Sequence, residues 1–131
     1  MNPDVPPPDK FSLGDRIRSF HAALKGIWHA FQNEHNLWVQ SSLLLGAIIA
    51  GVWLRISAGE WVLVVLASGL VLSAELINTA LEELVNWLSP AKNEHARRIK
   101  DVAAAAVLLA AVSAALAGGI IFIPKVIALL R

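Results

Sequence analysis

Residues Glu60–Pro90 read EWVLVVLASGLVLSAELINTALEELVNWLSP, the longest apolar run in the chain, and its second half carries Glu75, Asn78, Glu82 and Asn86. At ~1.5 Å per residue a helix here crosses ~30 Å of hydrocarbon with turns to spare. An ionised carboxylate inside such a span costs at least ~2.5 kcal/mol on insertion scales, which makes an intramembrane Glu a functional candidate by default. At about 100° per residue the four polar side chains fall within an arc of about 80°. They therefore share one stripe, which faces protein or water and not lipid. Interhelical hydrogen bonding accounts for Asn78 taken alone. A whole stripe points to a site.

Working outward, the chain has 131 residues, of which 56% are hydrophobic and 16% charged. That balance is too apolar for a water-soluble domain of this size and indicates an integral membrane protein. The absence of cysteine excludes disulfides, thiolate metal sites and Cys nucleophiles. Residues 1–10, MNPDVPPPDK, are polar and proline-rich and read as a disordered tail without secretory signal character.

Three apolar segments predict transmembrane helices at about 37–54, 61–88 and 102–123. Ser57-Ala-Gly59 and Ser89-Pro90 mark the turns between them. Before the first span, Leu13, Ile17, Phe20, Leu24, Ile27, Trp28 and Phe31 share one helical face, with Arg18, Lys25, His29 and Asn33 opposite. This pattern predicts an amphipathic interfacial helix over about 12–34, with Ser12 and Asp15 as a capping-box-like start and a basic face suited to an anionic leaflet. The fold class is therefore all-α, one surface helix and three transmembrane helices in a single domain over 11–131. Of eleven Lys and Arg, eight (Lys10, Arg16, Arg18, Lys25, Lys92, Arg97, Arg98, Lys100) lie before the first span or between the second and third. By the positive-inside rule the N-terminus is cytoplasmic and the C-terminus extracytoplasmic.

With that orientation the stripe rises from membrane depth at Glu75 to the cytoplasmic surface near Asn86. Glu34, where the surface helix gives way to the first span, and Lys100-Asp101, opening the third, belong to the same level. Two carboxylates with phosphate oxygens form a ligand set that Mg²⁺ prefers, and a Lys ammonium suits phosphate as a point charge. Neither GxxxxGK[ST] nor a Gly-rich kinase loop occurs. The small residues Gly46, Ala47, Ala50 and Gly51, and the Ala-rich third span from Ala103, allow close helix approach.

SAELINTALEELV (Ser73–Val85) followed by RIKDVAAAAVLLAAV (Arg98–Val112) resembles the signature of the prokaryotic diacylglycerol kinase family, which includes undecaprenol kinases. The likeness extends from Phe11 to Pro124. It implies a homotrimeric enzyme of a bacterial inner membrane, transferring the γ-phosphoryl group of ATP to the hydroxyl of undecaprenol or diacylglycerol at the cytoplasmic interface. The resemblance makes Glu75 the catalytic base with Asn78 beside it, Glu34 and Glu82 the Mg²⁺ carboxylates, and Lys100 and Asp101 nucleotide contacts. Arg16 and Arg18 are both candidates for a further nucleotide contact. Where relatives carry a Tyr-His pair, this chain has Lys92-Asn93. The segment GGIIFIPK is closer to the undecaprenol-kinase branch, and no nucleic-acid partner is implied. A rival reading makes the chain a non-enzymatic subunit with Glu75 as a proton relay.

Overall fold

A computed structural model describes residues 12–89 and 93–131, so the tail over 1–10, Phe11, Pro90 and Lys92 lie outside the described residues. Four helices follow in order: α1 Leu13–Asn33, α2 His35–Trp53, α3 Ala58–Leu88 and α4 Glu94–Leu129. The last three are long and apolar enough to cross a membrane. Their outward faces carry large apolar side chains such as Leu43, Ile49, Val65, Leu109 and Ile120, all exposed on the chain. Lipid, not water, is the solvent that such faces match.

Each helix boundary has a local cause. Glu34 is extended (φ −110°, ψ 110°) and serves at once as the C-cap of α1 and the N-cap of α2. The corner is closed by Trp38, whose indole N–H donates to the Phe31 carbonyl at 2.8 Å while the two rings meet edge to face at 5.8 Å. The end of α2 is a Schellman motif: Ile56 N–H reaches the Gly51 carbonyl at 3.1 Å and Arg55 N–H the Val52 carbonyl at 3.3 Å. Arg55 takes the left-handed conformation, φ 50°, that this motif needs and that glycine usually supplies.

The structure corrects several sequence expectations here. Ser12 is the N-cap residue of α1, but its side chain makes no capping hydrogen bond, and Asp15 instead pairs with Arg18 one turn on. Ser57-Ala-Gly59 is not the turn itself. Ser57 caps α3 in a reciprocal capping box with Glu60, so Ala58 and Gly59 already belong to the first helical turn. The fourth helix is longer than the apolar run at both ends. Asn93 caps it by accepting from Ala96 N–H at 2.8 Å, and it continues through Pro124 to Leu129. Apolarity marks only the stretch inside hydrocarbon, whereas caps decide where helices begin.

Helices α3 and α4 form the most extensive packing pair, where Ala103 and Ala110 are buried. Near the α2–α3 turn, Ile56, Val64 and Ile121 are buried against Ala47, Leu54, Trp61 and Phe122. Gly51 permits this corner: a Cβ there would lie 2.9 Å from the Trp61 ring and 3.0 Å from Ile56 Cδ1. The ion pair of Lys125 with Glu60, 3.1 Å, ties α4 to the start of α3 at the same end.

Candidate functional site

The polar stripe of α3 is the most unusual feature of the interior. Glu75 is 1% exposed, and Asn78 and Thr79 are buried beside it, whereas the large side chains around them are aliphatic. Glu82 is half-buried, and Asn86 is exposed. Burial thus declines along the stripe from Glu75 toward the end of α3, in the order expected of a site that opens toward an interface.

Each member of the stripe has a hydrogen-bond partner, within α3 or on a helix packed against it. Gln40 of α2 donates from Nε2 to Glu75 Oε2 at 3.2 Å. Asn78 Nδ2 donates to Glu82 Oε1 at 3.2 Å, one turn along α3. Lys100, in α4, donates from Nζ to Asn86 Oδ1 at 2.6 Å. Thr79 Oγ turns back to the Glu75 carbonyl at 3.0 Å. On the adjoining side His29 of α1 meets Glu83 Oε1 at 2.8 Å and so ties the first helix to the third.

Buried polar groups are nearly always paired, so the exceptions are informative. Three buried side-chain atoms have no partner among the described residues: Glu75 Oε1, Gln40 Oε1 and Asn78 Oδ1. All three are oxygens. A cluster of unpaired acceptors at the deepest point of a polar stripe is matched by a ligand that donates a hydrogen bond there.

Glu34 brings a further carboxylate to this group. Partial burial holds its carboxyl above the usual range, and the charges of Glu82, Glu75 and Glu83 push it in the same direction. Glu34, at the α1–α2 corner, therefore senses three carboxylates of α3, an arrangement that a cation relieves. Glu34 with Glu82 supplies hard oxygen ligands of the kind suited to Mg²⁺. No group of three or more His, Cys, Asp or Glu forms a metal-binding set among the described residues, so an ion there would need oxygens from a second source.

The structure brings together most of the residues singled out from sequence, but not all. Glu75, Asn78, Glu82 and Lys100 lie along the stripe, with Glu34 within electrostatic reach of it. Asp101 is exposed at the start of α4, and Arg18 pairs with Asp15 on its own helix. Sequence reasoning missed Gln40. Its signal was present: it is an amide within the apolar run from Leu37 to Leu54, and intramembrane polar residues call for an explanation. A cavity of about 290 Å³ runs between α2, α3 and α4, lined by Gln40, Ser68 and otherwise small or apolar side chains from Leu44 and Leu72 to Phe122.

Comparison with known proteins shows the family of the chain. The family model described as prokaryotic diacylglycerol kinase matches residues 21–122. The chain is 34% identical over 109 residues to the undecaprenol kinase of Bacillus subtilis (strain 168), covering 83% of this chain and 89% of that protein. It is 35% identical over 113 residues to a diacylglycerol kinase of Synechocystis sp., covering 86% and 65% of the two chains. A diacylglycerol kinase of Escherichia coli (strain K12) is 31% identical over 98 residues, covering 75% and 80%. With its three membrane-length helices and the polar stripe on the second of them, the chain belongs to the prokaryotic diacylglycerol kinase family.

Proposed function

We propose that the chain is a membrane lipid kinase in which Glu75 accepts the proton of a lipid hydroxyl while that oxygen attacks the γ-phosphorus of ATP. Family membership carries the activity, since it implies ATP as phosphate donor and a membrane lipid as acceptor. It also favours catalysis over a proton-relay role for Glu75. The observation that carries the residue assignment is the burial of Glu75 with one carboxylate oxygen held by Gln40 and the other unpartnered. A general base must be in hydrogen-bond reach of the proton it takes, and the open Oε1 is such an acceptor.

In the proposed reaction the lipid O–H bond breaks as its proton passes to Glu75 Oε1. A bond forms from the lipid oxygen to the γ-phosphorus, and the bond from phosphorus to the ADP oxygen breaks. Asn78, anchored to Glu82, orients the alcohol from one turn away. Lys100 and Asp101 contact the nucleotide, with Arg16 or Arg18 as a further contact, and Lys100 offsets phosphate charge as a point cation. Glu34 and Glu82 would hold Mg²⁺, whose role is charge neutralisation at the transferring phosphoryl group. From Glu75 to Glu82 is about 10 Å along the helix axis, which leaves room for that group between base and metal position.

The setting belongs to the same proposal. Residues 11–131 form one kinase domain, and α1 lies on the membrane surface with Leu13, Ile17, Phe20, Leu24 and Trp28, all exposed on the chain, turned into lipid. The protein is a homotrimer in a bacterial inner membrane, N-terminus cytoplasmic and C-terminus outside. Support for the orientation is the asymmetry of Lys and Arg along the chain. Incubating the purified chain with MgATP and either undecaprenol or diacylglycerol tests the activity. Phosphorylation of a lipid is expected; ATP-dependent labelling of neither would overturn the assignment.

A further inference from the structure

We infer that Gln40 positions the Glu75 carboxylate and selects a lipid whose polar head is a lone primary hydroxyl, as in a long-chain prenol, over one that carries ester carbonyls beside the hydroxyl. This inference rests on the lipid-kinase reading and specifies the acceptor for that same site.

The orientation of the two amides follows from chemistry. An ionised carboxylate only accepts hydrogen bonds, so the amide atom that faces it must be the N–H₂ group. Gln40 turns Nε2 to Glu75 and Asn78 turns Nδ2 to Glu82, which leaves both amide oxygens pointing elsewhere. Those two oxygens and Glu75 Oε1 are the buried side-chain atoms without a partner among the described residues. The hydroxyl of Thr79 is engaged with the Glu75 carbonyl. The unpaired buried side-chain atoms around Glu75 are thus all acceptors.

A lone hydroxyl suits such surroundings, because it brings a donor and little else. A diacylglycerol brings the same donor together with ester carbonyls a few bonds away, and these are acceptors only. Desolvating a carbonyl against the amide oxygens of Gln40 and Asn78 leaves it unpaired, and sites reject ligands strongly when buried polar groups are left without partners. The cavity that Gln40 lines offers no remedy near the head. Its polar lining side chains are Gln40 and Ser68, and Ser68 lies seven residues from Glu75, about 10 Å along α3. The remaining walls, among them Leu43, Val64, Ala114 and Phe122, suit a hydrocarbon tail.

Two effects are therefore assigned to one side chain. The N–H of Gln40 fixes Glu75 Oε2, so that Oε1 keeps the direction needed to take a proton. Its oxygen helps to exclude carbonyl-bearing heads. Gln40→Met is close to isosteric, so a side chain that merely filled space would be replaced at little loss.

The test uses the purified full chain in mixed micelles with MgATP, comparing a long-chain prenol with dioleoylglycerol for the wild type, Gln40→Met and Gln40→Asn. The shorter asparagine keeps an amide but draws it out of reach of Glu75, so it carries the test should the methionine variant fold poorly. We expect the wild type to favour the prenol by about tenfold or more in kcat/KM. Either variant should lower kcat on the prenol about tenfold, leave KM for ATP unchanged and bring the lipid preference toward unity. Equal use of both lipids by the wild type overturns this inference while leaving the kinase assignment standing, as does full turnover and preference in both folded variants. Phosphorylation of neither lipid overturns the kinase reading as well.

Discussion

Gln40 donates a 3.2 Å hydrogen bond to Glu75 across the α2–α3 interface, and in doing so it gives a carboxylate at membrane depth one fixed oxygen and one open one. A buried carboxylate without any partner would be neutralised or expelled. One engaged on both oxygens would have less acceptor capacity left for a substrate. The half-satisfied state is the one that suits a general base.

The proposed role of Glu34 and Glu82 as Mg²⁺ ligands predicts a Mg²⁺ phenotype. Glu34→Gln or Glu82→Gln should raise the Mg²⁺ concentration needed for half-maximal activity by about tenfold or more, with the lipid KM little changed. A Mg²⁺ titration of each variant checks this, and unchanged curves for both would remove the metal role from these carboxylates.

For the proposed nucleotide role of Lys100, the relevant contact is with Asn86 at 2.6 Å, which holds the ammonium at the exposed end of the stripe. Lys100→Met should raise KM for ATP or lower kcat by about tenfold to a hundredfold while lipid binding is retained. Asn86→Ala leaves the charge but frees the side chain, so a smaller effect on the same parameter is expected. Steady-state kinetics with ATP as the varied substrate distinguishes the two.

How far the sequence disclosed this site can be judged residue by residue. The 3.6-residue period placed Glu75, Asn78, Glu82 and Asn86 on one face of one helix, because that relation is local and needs no knowledge of tertiary packing. The long apolar runs likewise disclosed three membrane-length helices. Gln40 escaped because its role depends on how α2 rotates against α3, and no local periodicity encodes that rotation. The His29–Glu83 contact escaped for the same reason, with 54 residues between the partners. Helix ends were misjudged where side-chain caps, not hydropathy, decide them, as at Ser57 and Asn93.

Packing at the α2–α3 corner predicts a stability effect separable from activity. Gly51→Leu would drive a side chain into Trp61 and Ile56, where even a Cβ lies within 3.0 Å of both. Overpacking of this kind costs about 1–3 kcal/mol. Thermal unfolding in detergent should show a lowered midpoint, whereas wild-type stability would mean that the corner adjusts freely.

Orientation is open to a direct check. A reporter fused after Arg131 should register an extracytoplasmic C-terminus, as the distribution of Lys and Arg requires. A cytoplasmic signal would invert the topology and place the open end of the stripe on the wrong side for ATP.

The most direct test of the central claim is the turnover of Glu75→Gln with MgATP and a lipid alcohol. The substituted amide keeps the shape of the side chain and can still accept the Gln40 hydrogen bond through its carbonyl oxygen, but it cannot take a proton at neutral pH. Lipid phosphorylation should fall by about a hundredfold or more while ATP binding persists. Turnover near that of the wild type in a folded Glu75→Gln protein would contradict the account and leave Glu75 a packing hydrogen bond between helices.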